Sequence, residues 1–166
     1  MMKTRFGLLS LLIVAMAACS STPDVDPEEA RAIIMAQRPA IDSVPSSGLG
    51  PQELPAGECG LFLWSKTDLT KFIFYTKALS DEALFAQGET PITLFRTSAG
   101  GSIFGQFNTR MRYQSVDGRK LELEIVPGDI LDGGQRIERG LLSLTDSEGW
   151  QTKLPVLGVR ACQPET

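Results

Sequence analysis

The sequence predicts an all-β fold: a small antiparallel barrel or sandwich of about eight strands, preceded by a Pro-rich tether with one short helix. Three observations lead there. Downstream of Cys59, short runs rich in β-branched and aromatic residues alternate with clusters of turn formers at spacings of about ten residues. Beside Asp117-Gly118, Leu121, Leu123 and Ile125 alternate with Lys120, Glu122 and Glu124, the period of a strand with one dry and one wet face. Cys59 and Cys162 bracket the whole of this region.

The tether comes first. Between Ser20 and Glu58 lie six of the chain's ten prolines (Pro23, Pro27, Pro39, Pro45, Pro51 and Pro55), with Ser46-Ser47-Gly48 and Gly50 among them. Such a composition suits a linker, and roughly 37 residues in that regime average on the order of 35 Å end to end. One segment inside it differs. Asp26 supplies an N-cap, Pro27 fits the first helical position, and Glu29 stands at the third, which predicts a helix over 27–38 ended by Pro39. A helix of about 11 residues is marginal alone in water. It needs a surface for Ile33, Ile34 and Met35, either the protein's own domain or a partner.

The body is expected over 59–166. Residues 60–64 and 71–76 read as neighbouring strands joined through Thr67-Asp68-Leu69-Thr70. Residues 83–87 and 92–97 follow, linked by Gly88-Glu89-Thr90-Pro91, with a short helix over 80–87 as the competing reading of the first. Thr97 to Ser102, with Gly100-Gly101, reads as a turn, and 102–108 as a further strand. The strands 112–116 and 119–126 flank Asp117-Gly118, the two-residue signature of a type I′ hairpin. The last pair is 140–145 and 150–162, joined around Ser147-Glu148-Gly149, with Pro155 expected to interrupt or edge the final strand. Closure into a barrel would hide the sheet edges.

Ahead of all this, residues 1–18 combine Lys3 and Arg5, an apolar run from Phe6 to Val14, and the small residues Ala15, Ala17 and Ala18 before Cys19. The run is short for a bilayer span and reads as a secretory signal peptide. Met16-Ala17-Ala18-Cys19 resembles the lipobox of bacterial lipoproteins. The resemblance implies cleavage before Cys19 and acylation of that cysteine, with palmitate among the usual chains. Several chains at about 0.8 kcal/mol per buried CH₂ suffice for stable membrane anchoring. Ser20 follows where lipoproteins retained at the inner membrane of some bacteria carry Asp, so the resemblance implies the outer membrane, facing the periplasm.

With Cys19 assigned to lipid, Cys59 and Cys162 are an even pair in an oxidising compartment, the setting in which a disulfide is expected. A loop of about 100 residues closed in this way stabilises a domain by about 4–5 kcal/mol in the chain-entropy model. A metal or redox pair would call for CxxC spacing or histidine, and the chain contains no histidine. That zero also excludes His-based triads, His-ligated zinc and imidazole switches. The formal net charge is −4, and loss of Lys3 and Arg5 on cleavage makes it more acidic. A net-acidic chain has no general attraction for nucleic acid or anionic lipid.

Several constellations carry chemistry in principle. Arg110, Arg112, Arg119 and Lys120 converge on the expected hairpin, with Arg110, Arg112 and Lys120 on one side. They could meet an anionic surface such as lipid phosphate or a polyanionic glycan, or form a solvated face balanced by Glu122 and Glu124. Asp129 and Asp132, next to Gly133-Gly134, offer oxygen ligands of the type Ca²⁺ takes but lack the further acidic positions of an EF-hand loop; a turn explains the same residues. No cofactor is implied. Phe62, Trp64, Phe72, Phe74, Phe95, Phe104, Phe107 and Trp150 are expected as core or, in a wide barrel, as the lining of an apolar cavity.

The expected function is a lipid-anchored, non-catalytic binding or scaffolding module with an envelope protein as partner, in envelope assembly or in inhibition of a cationic hydrolase. The alternatives are a lipocalin-like carrier of an apolar ligand and, third, a carboxylate-dependent glycan hydrolase.

Overall fold

The computed structural model describes Asp26, Glu28 and residues 48–165. Residues 1–18, Cys19 and all but Glu28 of the expected helix 27–38 lie outside the described residues. Glu28 is helical and donates its N–H to Asp26 Oδ1 at 2.9 Å, the capping bond that Asp26 is suited to accept.

The body consists of eight strands: β1 (Cys59–Ser65), β2 (Phe72–Lys77), β3 (Glu82–Gln87), β4 (Thr90–Phe104), β5 (Phe107–Ser115), β6 (Lys120–Leu131), β7 (Gly134–Thr145) and β8 (Gln151–Cys162). Each pairs antiparallel with the next, and β8 pairs with β1, so the meander closes into a barrel. Of the two expected architectures, the barrel is the one adopted.

The interior is filled as an eight-stranded barrel allows. Leu61, Leu63, Phe74, Phe85, Leu94, Met111, Tyr113, Leu121, Leu123, Ile137, Leu142 and Val156 project from all eight walls and are buried. Phe74 and Tyr113 meet edge to face at 5.5 Å between ring centroids. Cys59 lies directly opposite Cys162 across the β1–β8 seam, with Cα atoms 3.9 Å and sulfurs 2.02 Å apart, so a disulfide locks closure at one end.

The barrel has two ends. At the disulfide end lie the turns β2–β3, β4–β5 and β6–β7; at the other lie β1–β2, β3–β4, β5–β6 and β7–β8. Residues 48–58, expected as part of the tether, run along the outside of the wall between the two. The Leu49 N–H donates to the Phe72 carbonyl at 2.6 Å, the Tyr75 hydroxyl donates to the Glu53 carbonyl, and the Gly57 N–H to Gln163. They partly cover an outer aromatic cluster in which Phe62, Trp64, Phe72 and Tyr75 stack at 5.0–6.5 Å. Aromatics expected inside therefore divide. Phe74, Phe104 and Phe107 are core, Phe62, Trp64 and Phe72 lie outside, and Phe95 and Trp150 are exposed.

Four local expectations are corrected. β4 runs through Gly100-Gly101 instead of turning there: Thr97 Oγ1 donates to the Arg112 carbonyl and Ser102 N–H to Thr109 Oγ1, satisfying groups displaced where the register shifts. Residues 102–108 are not one strand but a corner: the end of β4, the turn Gly105-Gln106 and the start of β5, with Phe104 opposite Phe107. The strand expected over 83–87 forms as β3, and the competing helix over 80–87 does not. The β5–β6 loop is not type I′, since only Gly118 has positive φ, at 89°. The Gly118 N–H bonds the Ser115 carbonyl and the Ser115 N–H bonds the Arg119 carbonyl, giving a three-residue loop of Val116, Asp117 and Gly118. Ser115 Oγ selects it by bonding both Asp117 and the Arg119 N–H. Pro155 interrupts nothing. It lies just past the Ser65–Val156 pair, where β1 ends and no strand needs its missing N–H, and its carbonyl accepts from Lys66 N–H.

Candidate functional site

Alternation along β5 and β6 brings Arg110, Arg112 and Lys120 to one outer face, opposite Glu124, Glu122 and Gln114 respectively. Arg110 Nε donates to Glu124 Oε1 at 2.8 Å, and Arg112 reaches Glu122 Oε1 at 2.8 Å from Nη2. Both pairs are about half exposed, a setting where each contributes about 0–1 kcal/mol. Shallow concavities of 470 Å³, beside Arg110, Glu124 and Arg139, and of 260 Å³, beside Arg112, Lys120 and Glu122, open on this face. An anionic ligand there must first displace a carboxylate from each arginine. Arg119 does not join the group. It turns to the end of the barrel, pairing with Asp117 at 3.1 Å and donating to Gln87.

Asp129 lies near the end of β6 and Asp132 in the β6–β7 turn, both exposed. No group of three His, Cys, Asp or Glu among the described residues is placed to hold a metal ion.

The disulfide end carries a different kind of surface. The β2–β3 turn is clamped from several sides: Ala78 N–H donates to the Cys59 carbonyl at 2.7 Å, Thr76 Oγ1 to the Glu82 carbonyl at 2.8 Å, and Glu82 N–H to Ser80 Oγ at 3.0 Å. Arg96 holds Asp81 through its guanidinium at 2.7 Å and its N–H at 2.6 Å. On this turn Leu79 has φ 62°, the one non-glycine positive φ among the described residues, and it is 87% exposed. A leucine in that conformation costs about 1–2 kcal/mol that glycine would avoid. The turn thus holds a large apolar side chain in solvent against both backbone and hydration preferences.

Leu79 borders a concavity of 400 Å³ with Glu58, Lys77, Ser80 and Gln106. Lys77 pairs with Glu58 at 3.2 Å. Gln106 belongs to the β4–β5 corner, which folds over the barrel's end: Phe104 and Phe107 are buried there, 5.9 Å apart, and Arg160 of β8 reaches Gln106 Oε1 and Cys162 Sγ at 3.4 Å. Ile103 and Ile130, near the tips of the neighbouring hairpins, are also exposed. Sequence reasoning missed this surface. Its one local signal was Ala78-Leu79-Ser80-Asp81, a polar-flanked turn with an apolar residue where Gly or Asn is ordinarily found.

Comparison with protein-family models, with curated proteins and with solved structures finds no match to this chain.

Proposed function

We propose that this chain is a lipoprotein held at the outer membrane through acylated Cys19, facing the periplasm, and that its barrel is a non-catalytic module that binds an envelope protein. The anchoring half rests on the signal and lipobox pattern of residues 1–19. The barrel supports it indirectly. A membrane-spanning barrel turns polar side chains inward and an apolar band outward. This one packs its interior with Leu, Ile and Phe and carries Arg110–Glu124 and Arg112–Glu122 outside.

The single observation behind protein binding is Leu79, displayed at positive φ on a clamped turn beside a concavity. An exposed apolar side chain beside a concavity and rimmed by polar groups such as Glu58, Lys77 and Gln106 is the kind of surface that partners cover. Backbone strain kept at an exposed position is a pointer to function. A carrier of apolar ligands needs interior volume instead, and side chains such as Phe74, Phe85 and Tyr113 fill the space a ligand would take.

The test is site-specific photo-crosslinking in intact envelopes. With the crosslinker at position 79, one protein partner should be captured in near-stoichiometric yield, and at position 122, on the charged outer face, it should not. Equal background at both positions sinks the binding site. Intact mass showing a mature N-terminus other than lipid-bearing Cys19 sinks the anchoring.

A further inference from the structure

The end opposite the disulfide has an unusual set of turn tips. Leu69 of the β1–β2 loop is 61% exposed, Val116 of the β5–β6 loop 90%, and Trp150 of the β7–β8 loop 75%. These loops are consecutive around the rim, because β8 neighbours β1 and β6 neighbours β7, and Lys66 N–H ties the β1–β2 loop to Pro155 of β8. Only the β3–β4 turn, Gly88-Glu89, lacks an apolar tip. Turn tips are ordinarily polar, so three neighbouring ones carrying Leu, Val and Trp call for a cause.

The charges in these loops are largely engaged with one another. Asp68 pairs with Lys71 at 3.5 Å and accepts from Thr70 Oγ1 at 2.6 Å; Asp117 pairs with Arg119; Asp146 accepts from the Glu148 and Trp150 N–H groups at 2.9 Å. The Asp146 bonds fix the Trp150 backbone with the indole outward. Such an end can leave bulk water without stranding many unpaired charges. An exposed Trp with apolar neighbours suits a headgroup boundary, where its ring is apolar and its N–H stays hydrated.

The path of the chain names the occupant. Residues 48–58 start at this end, where Leu49 bonds Phe72, the first residue of β2, and travel to the disulfide end before entering β1. The polypeptide that joins Cys19 to the barrel therefore arrives at the end bearing Leu69, Val116 and Trp150. We infer that this end rests on the surface of a zwitterionic bilayer, with Trp150 in the headgroup region, and so turns Leu79 and the disulfide end away from the membrane. The inference rests on the anchoring proposed above. Glu89 and Glu148 outnumber Lys66 at the rim and set the lipid preference: anionic lipid should weaken the contact.

The test uses the processed full-length chain, purified in detergent and reconstituted into phosphatidylcholine vesicles. The chain has two tryptophans, so Trp64→Phe leaves Trp150 as sole reporter. Trp150 emission should shift to the blue and lose at least about half its intensity with lipid brominated near the headgroup. In the unsubstituted chain, amide hydrogen exchange in 66–71, 116–119 and 146–150 should slow on vesicles relative to detergent, and 78–81 should not change. Protein that floats with the vesicles while Trp150 stays unquenched and these loops exchange as before overturns the membrane contact and leaves the anchoring intact. Protein that fails to float overturns both. Protection of the loops that appears only on adding envelope proteins also overturns the contact, in favour of a protein at this end.

Discussion

At the scale of single residues, Leu79 separates stability from function. Replacing it with Gly removes the Cβ clash of a left-handed leucine, and the side chain makes no buried contact that would be lost. Leu79→Gly should therefore raise unfolding free energy by about 1 kcal/mol in a denaturant titration while crosslinking to the partner disappears. Lower stability with binding retained would show that the turn, and not its side chain, is what matters. Tyr113 makes a second prediction. Burial, opposed by its bond to Thr76 and by the Arg96 charge, pushes its hydroxyl from 10.0 up to about 12. Above pH 10 the unfolded chain gives up that proton first, so this residue's share of stability is whole below pH 10 and drains away as pH rises towards 12, by about 1.4 kcal/mol per unit. Tyr75, also pushed up, first by burial and then by Glu58, adds in the same direction. Tyr113→Phe should flatten most of the alkaline loss in melts between pH 9 and 12, at little cost at neutral pH, where the hydroxyl donates to the weak acceptor Met111 Sδ at 3.4 Å. Neither residue was legible beforehand: a Leu at positive φ runs against local preference, and Tyr113 owes its burial to strands far away in sequence.

At the scale of elements, the readable parts were those whose pattern is local. The alternation of Leu121, Leu123 and Ile125 with Lys120, Glu122 and Glu124 placed the first part of β6, up to Val126, because period two is fixed by the pleat and needs no partner; the continuation to Leu131 was not read. The balance of Arg110 and Arg112 by Glu124 and Glu122 followed from the same alternation. What escaped depended on partners across the sheet. Gly100-Gly101 signals a turn until Thr109 Oγ1 and the Arg112 carbonyl are seen to accept from Ser102 and Thr97 across the ladder. Nothing local marks Gly158 within the run 150–162, yet a Cβ there would land on the Phe62 carbonyl oxygen, with Leu63 close beside it. No side chain rotation relieves a clash with backbone. Gly158→Ala should force β8 off β1 and cost at least about 3 kcal/mol, read from chemical denaturation or from failure to recover folded protein. A loss under about 1 kcal/mol would mean that the seam is looser than the ladder implies.

At the scale of the whole molecule, the disulfide does more than close a loop. It joins residues 103 apart in sequence at the end that carries Leu79 and the proposed binding surface, and both cysteines also anchor a neighbouring turn. The Cys59 carbonyl accepts from Ala78 N–H beneath Leu79, and Cys162 N–H donates to the Gly133 carbonyl at the tip of β6–β7. Replacing both cysteines with alanine should cost about 2–5 kcal/mol overall. The loss should not be spread evenly. Faster amide exchange is expected in 78–81 and 132–134, the two turns hung from the seam, while 116–119 and 146–150 at the opposite end, closed by their own Ser115 and Asp146 bonds, keep their rates under native conditions. Because the strained turn keeps its conformation only while its surroundings hold it, the double variant should also lose partner capture at Leu79 at temperatures where the barrel is still folded. Uniform acceleration of exchange at both ends would instead mean that the bond acts through the unfolded chain alone, and that the clamp on Leu79 is independent of it.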